Sequence, residues 1–131
     1  MSTHSILLID DEAEVLASLK RALRGEGHRL LTATGGRQAL ELMGANPVSL
    51  VVCDLAMPGM DGLELLRRVR ERYPQVVRLV LTGQSDISLA ARAVNEGEVF
   101  RFLTKPWDND QLRACIAGAL ERFENGRGEV G

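Results

Sequence analysis

Apolar and polar positions follow two alternating patterns along the chain. Short, β-rich apolar runs cover Ile6–Ile9, about 28–33, Leu50–Cys53, Val76–Leu81 and Phe100–Leu103. Between them apolar residues recur every three or four positions, the spacing of one helix face. Val15, Leu16, Leu19 and Leu23 form one such stripe, and Leu63, Leu66, Val69 and Tyr73 another. The last helix carries Leu112, Cys115, Ile116, Ala119, Leu120 and Phe123. Punctuation agrees: Gly25 and Gly27 end the first helix, Asp61-Gly62 opens the third, Asp86 the fourth and Asp108 the fifth. Five strand–helix repeats predict an α/β fold, a parallel sheet with helices on both faces. Runs such as LVVC and LVLT are apolar throughout, as strands buried on both faces should be.

The length of 131 residues suits one domain, expected over 1–123. The tail Glu124–Gly131, rich in glycine, is expected to be disordered or to begin a linker. A net charge of −2 with interspersed signs gives no basic footprint for nucleic acid. Neither a signal peptide nor a membrane-length apolar run is present, so no membrane partner is expected and the default compartment is the cytoplasm. Cys53 and Cys115 lack metal or redox spacing and read as reduced core residues; His4 and His28 stand apart from any ligand cluster.

In an open α/β sheet, ligands bind beyond the carboxyl ends of the strands. Four of the five apolar runs end in reactive groups. Asp10, Asp11 and Glu12 follow the first, Asp54 the third, Thr82 the fourth, and Thr104, Lys105 and Pro106 the fifth. Clustered carboxylates repel one another, and a divalent cation relieves the repulsion. A few hard oxygen ligands suit Mg2+, while a lysine and a hydroxyl suit phosphoryl oxygens. Each residue also has a bland reading. Asp11 would cap a helix, Thr82 would reflect β-propensity and Lys105 would be a solvated charge. Asp54 is harder to dismiss, because the loop forced by Pro58 and Gly59 separates it from any helix it would cap.

The double aspartate, the D-x-x-M-P-x-x-D-G stretch from Asp54 to Gly62, Thr82, and Lys105-Pro106 together resemble the receiver domain of two-component response regulators. The resemblance runs from about Ser5 to Phe123. It implies a flavodoxin-like doubly wound fold with strand order 2-1-3-4-5. It implies a phosphorylation switch rather than an enzyme acting on a separate metabolite. Asp54 would accept a phosphoryl group from a histidine kinase, a phosphotransfer protein or a small donor. Asp10, Asp11, Asp54 and the Ala56 carbonyl would hold Mg2+. Thr82 and Lys105 would contact the phosphoryl group, and a cis peptide would join Lys105 to Pro106. Phe102 matches the aromatic switch position. Ala56 and Gln84 would tune phosphoryl lifetime. The first helix, Glu14 to Leu23, and Pro106-Trp107 would meet the kinase. An output domain following the chain and a homodimer through the fourth helix, fifth strand and fifth helix are also within the family's pattern.

The stretch 95–108 departs from the plainest receivers by one extra residue between glycine and lysine. Phe100 and Phe102 should point to one side of the strand, forming with Trp107 an aromatic docking patch; the bland reading packs Phe100 and Trp107 beneath the fifth helix. This variant resembles receivers joined to HD-GYP phosphodiesterases or to hybrid kinases. Three other readings compete with this one. A haloacid-dehalogenase-type phosphatase needs an acid two residues beyond its nucleophile, where Ala56 stands. A flavin carrier needs a phosphate loop where DDE would repel phosphate. A phosphorylation-independent docking module of the same fold would dispense with a complete pocket.

Overall fold

The structure is a computed structural model; it describes residues 3–59 and 61–130, and only the backbone over 127–130. Five parallel strands alternate with helices: β1 (Ser5–Ile9), α1 (Ala13–Leu23), β2 (Arg29–Ala33), α2 (Gly36–Ala45), β3 (Leu50–Asp54), α3 (Gly62–Arg72), β4 (Val77–Thr82), α4 (Ile87–Asn95), β5 (Arg101–Thr104) and α5 (Asn109–Val130). A short 3-10 turn, Gln84–Asp86, precedes α4. The strand order is β2-β1-β3-β4-β5, as the resemblance implied. The chain leaves β1 toward one edge and returns to β3 for the other, so the order reverses between β1 and β3.

Two apolar layers sandwich the sheet. Side chains alternate along each strand, so Leu7, Ile9, Val51, Cys53 and Val80 face α2, α3 and α4. Ile6, Leu8, Leu50, Val52, Leu79 and Leu81 face α1 and α5. The predicted stripes supply the partners: Leu16, Leu19 and Leu23 from α1, Leu66 and Val69 from α3, and Leu112, Ile116 and Phe123 from α5.

Capping follows the sequence in two helices. Asp61 accepts the Glu64 N–H (2.8 Å), and Asp108 accepts the Gln111 N–H (3.1 Å). Asp86 stands at the α4 cap without a side-chain bond. Gly25 and Gly27 take φ of +85° and +84° after α1, a region that penalises a Cβ. Gly62 is required for a different reason. A Cβ there would meet the Asp54 carbonyl and lie 2.8 Å from Leu55 Cα. The start of α3 therefore presses directly on the end of β3.

Three features differ from the sequence reading. Strands β4 and β5 sit one residue later than predicted. Phe100 thus precedes β5, and the alternation rule does not reach it: Phe100 packs on the α1/α5 layer, whereas Phe102 packs on the α4 side. The expected aromatic patch does not form, and Trp107 joins Phe100 on the α5 side. Helix α5 also runs past Phe123 to Val130. His4 holds its extension to the sheet, hydrogen-bonded through Nε2 to Glu124 (2.8 Å) and through Nδ1 to Ser49 (3.0 Å). His4 and His28, which stand alone in sequence, have ring centroids 6.2 Å apart. Gly131 lies outside the described residues.

Replacing Gly62 by alanine forces backbone apart and should cost about 2 kcal/mol or more in urea unfolding. Gly44→Ala, in open space within α2, should instead raise stability by up to about 1 kcal/mol.

Candidate functional site

The carboxyl ends of β1, β3, β4 and β5 form one rim. Parallel register sets it: Ile9 lies opposite Cys53, Asp54 opposite Leu81, and Thr82 opposite Thr104. Residues just after or at these strand ends are therefore brought together although they are far apart in sequence. Asp10, Asp11 and Asp54 offer carboxylate oxygens within 4.8 Å of one another. Asp10 is fully buried and Asp54 nearly so, while Asp11 is exposed. This donor set, hard and open to water on one side, fits a divalent cation of the Mg2+ type.

Lys105 enters from the opposite side of the rim. Its Nζ donates to Asp10 Oδ2 at 2.8 Å and lies 3.2 Å from Asp54 Oδ1 and 3.9 Å from Glu12. Burial works against its charge, yet the Asp10 and Asp54 carboxylates outweigh that and hold its pKa above the ordinary value. Asp54 shows the reverse balance. Burial and then Asp10 push its pKa up, while Lys105 and a hydrogen bond from the Ala56 backbone pull it back only in part. Beside it, Cys53 is buried and its thiol is pushed well above the usual range, so it stays protonated and unreactive.

The backbone locks this geometry. Asp10 Oδ1 accepts the Glu12 N–H (2.9 Å), which fixes its carboxylate and leaves Glu12, not Asp11, at the α1 cap position. The capping role weighed for Asp11 is therefore not filled by it. Leu55 N–H donates to Leu81 O (3.0 Å), and Lys105 N–H donates to Thr82 O (2.9 Å). The Lys105–Pro106 peptide is cis. Thr82 is fully buried, and its hydroxyl donates to the Gly83 carbonyl (3.2 Å).

The model of the response regulator receiver domain family matches residues 6–117. The chain belongs to that family. Receiver domains act as regulatory switches in two-component phosphorelays and bind Mg2+ at an acidic pocket, and the aspartate cluster here supplies such a pocket. The hydrogenase transcriptional regulatory protein HoxA of Cupriavidus necator is 38% identical over 117 residues, 89% of this receiver domain and 24% of that protein. The DNA-binding transcriptional regulator NtrC of Escherichia coli is 32% identical over 119 residues, 91% of this chain and 25% of its own. The receiver domain thus spans about a quarter of these curated relatives. A solved signal receiver domain of an HD domain-containing protein from Pseudomonas fluorescens Pf-5 superposes with a TM-score of 0.90 at 38% identity, covering 98% and 94% of the two chains.

The structure brings Asp10, Asp11, Asp54, Thr82 and Lys105 to one rim. Phe102 lies apart from it, half-buried against the α4 side, and Gln84 opens the turn after β4. Ala56 is exposed just beyond Asp54. The coupling of Lys105 to Thr82 through the backbone was not legible beforehand, because it depends on β4 and β5 being paired.

Asp54 burdens the metal-free fold. Its folded pKa is raised above the unfolded value near 4, so the penalty is absent below that pH and complete above the folded pKa. In chelator, Asp54→Asn should melt above the wild type at neutral pH, and the gap should close toward pH ~4. Added Mg2+ should raise the wild-type Tm more than that of Asp54→Asn, as differential scanning fluorimetry would show.

Proposed function

We propose that this receiver domain accepts a phosphoryl group on Asp54 in a Mg2+-dependent reaction and thereby switches the face formed by α4, β5 and α5. The observation that carries this reading is the pairing of Lys105 with both Asp10 and Asp54 beside a three-carboxylate cluster. An Asp54 oxygen attacks phosphorus, the donor's N–P bond breaks, and the histidine imidazole leaves with the bonding pair. Mg2+, held by Asp10, Asp11, Asp54 and the Ala56 carbonyl, would neutralise charge building on the phosphoryl oxygens. Lys105 then exchanges carboxylate partners for a phosphoryl oxygen, an in-place electrostatic stabiliser.

Phosphorylation adds about 1.5–2 negative charges and strong acceptors at this rim. Thr82 would give up its Gly83 contact to donate to them. Because Lys105 N–H bonds Thr82 O, and Phe102 follows Val80 in register, that shift reaches β5 directly. Phe102 would turn inward beneath α4, biasing a two-state element. A histidine kinase or phosphotransfer protein would dock on α1 and Pro106-Trp107, where Ser18, Arg21, Trp107 and Arg113 line a cavity of ≈480 Å³. Output would pass to a domain following α5 in a longer protein, as the size of the relatives supports, or to a partner or second copy on the α4–β5–α5 face. Among the described residues no helix is long and apolar enough to cross a membrane, which accords with a cytoplasmic setting.

Intact-mass spectrometry after acetyl phosphate treatment tests the reading. The wild type should gain one phosphoryl group with Mg2+ and none in chelator, and Asp54→Asn should gain none. If the wild type neither gains mass nor binds beryllofluoride, the phosphorylation-independent docking module becomes the better account. Gln84 is proposed to orient the water that hydrolyses the acyl phosphate. Gln84→Ala should lengthen the phosphoryl half-life by roughly tenfold, the worth of one hydrogen bond to the attacking water; an unchanged half-life would remove Gln84 from that role.

A further inference from the structure

A second cavity lies at the opposite end of the sheet from Asp54. It measures ≈730 Å³ and sits between the start of β4, the α4–β5 turn and the last turns of α5. Val77, Val94, Val99 and Phe100 supply apolar wall, and Arg78 and Arg122 supply charge. Among the described residues no acidic side chain lines it.

Arg78 is an unusual strand residue. It is the second residue of β4, half-buried, and is held by two carbonyl groups: Nε donates to Glu98 O (2.7 Å) and Nη1 to Val76 O (3.0 Å). Among the described residues no carboxylate forms an ion pair with Arg78, Arg101 or Arg122. Glu98, the acid that acts on Arg78, is taken by Arg67 at 3.2 Å, and Glu124 is taken by His4. The guanidinium groups of Arg101 and Arg122 lie 4.7 and 5.6 Å from the centre of the Phe100 ring. Stacking of this kind leaves the in-plane N–H groups able to donate. Burial, then Arg70 and Arg122, depress the pKa of Arg78, and Glu98 offsets this only in part, so these cations act on one another. A half-buried cation beside further cations, whose opposing carboxylate, Glu98, is already bridged to Arg67, is costly in a low-dielectric setting, and an anion relieves it.

We propose that this cavity is a binding site for an amphipathic anion, with a phosphate or carboxylate head against Arg78 and Arg122 and a flat apolar body against Val77, Val99 and Phe100. Arginine matches planar or tetrahedral oxyanions through paired N–H donors. The volume falls within the range of small-ligand sites. Nothing in this site overlaps the phosphorylation rim, so the two can be tested apart.

The test is an NMR titration of the metal-free protein with phenyl phosphate, with inorganic phosphate and phenol as separate arms. Amide shifts should cluster at Gly97, Phe100, Arg122 and Gly126, with phenyl phosphate binding more tightly than either fragment. Arg122→Gln, an exposed position that leaves the fold and the Asp54 rim intact, should weaken binding by roughly tenfold, the value of one charge-assisted contact. Arg78→Lys should weaken it as well, since lysine keeps the charge and loses the fork. Shifts confined to Asp11 and Thr82, no saturable shifts at millimolar ligand, or equal affinity in Arg122→Gln would each overturn the proposal. Inorganic phosphate binding as tightly as phenyl phosphate would overturn its apolar half.

Discussion

Lys105 places one positive charge among the carboxylates of Asp10, Asp54 and Glu12, and the geometry of the rim depends on that balance. Without it, Asp10 would be a fully buried, uncompensated anion beside a second buried anion, an arrangement that costs several kcal/mol. One lysine does not neutralise three aspartates. The remaining negative charge is what makes the rim receptive to a divalent cation, and the raised pKa of Asp54 records the same deficit. Stability is thus given up locally so that an acidic, cation-receptive rim can exist, a trade common at functional sites.

The fold makes this affordable by over-determining the positions of the charged groups. Asp10 follows a strand with neighbours on both sides, and its carboxylate is tied to the Glu12 N–H. Asp54 ends the wholly buried β3, with Gly62 packed so closely behind it that no side chain fits between. Lys105 is attached to Thr82 by a main-chain hydrogen bond. A displacement at any one of these points is therefore felt by the others, because the linkage runs through backbone rather than through flexible side chains.

Charge is arranged with opposite sign at the two ends of the sheet. Acids gather beyond the carboxyl ends of the strands, and arginines gather at the far end around Arg78. Arg78 shows why sequence position alone misleads. In the run VVRLVL it reads as an interruption of a buried strand, yet its guanidinium donates to the Glu98 carbonyl in the α4–β5 turn and to the Val76 carbonyl just before β4.

Strand and helix order, the two-faced burial of the sheet and the identity of the rim residues were written in the sequence, because apolar period and strand-end chemistry are local properties that survive without coordinates. Asp10, Asp11, Asp54, Thr82 and Lys105 could be named for that reason. The facing of Phe100 departs from the alternation rule, since alternation holds only inside a strand and Phe100 lies one residue before β5. The His4–Glu124 tie, the Thr82–Lys105 backbone link and the arginine-lined cavity were invisible for a common reason. Each joins residues from different elements, His4 and Glu124 being 120 positions apart, and only the packing of strands and helices decides which distant side chains meet.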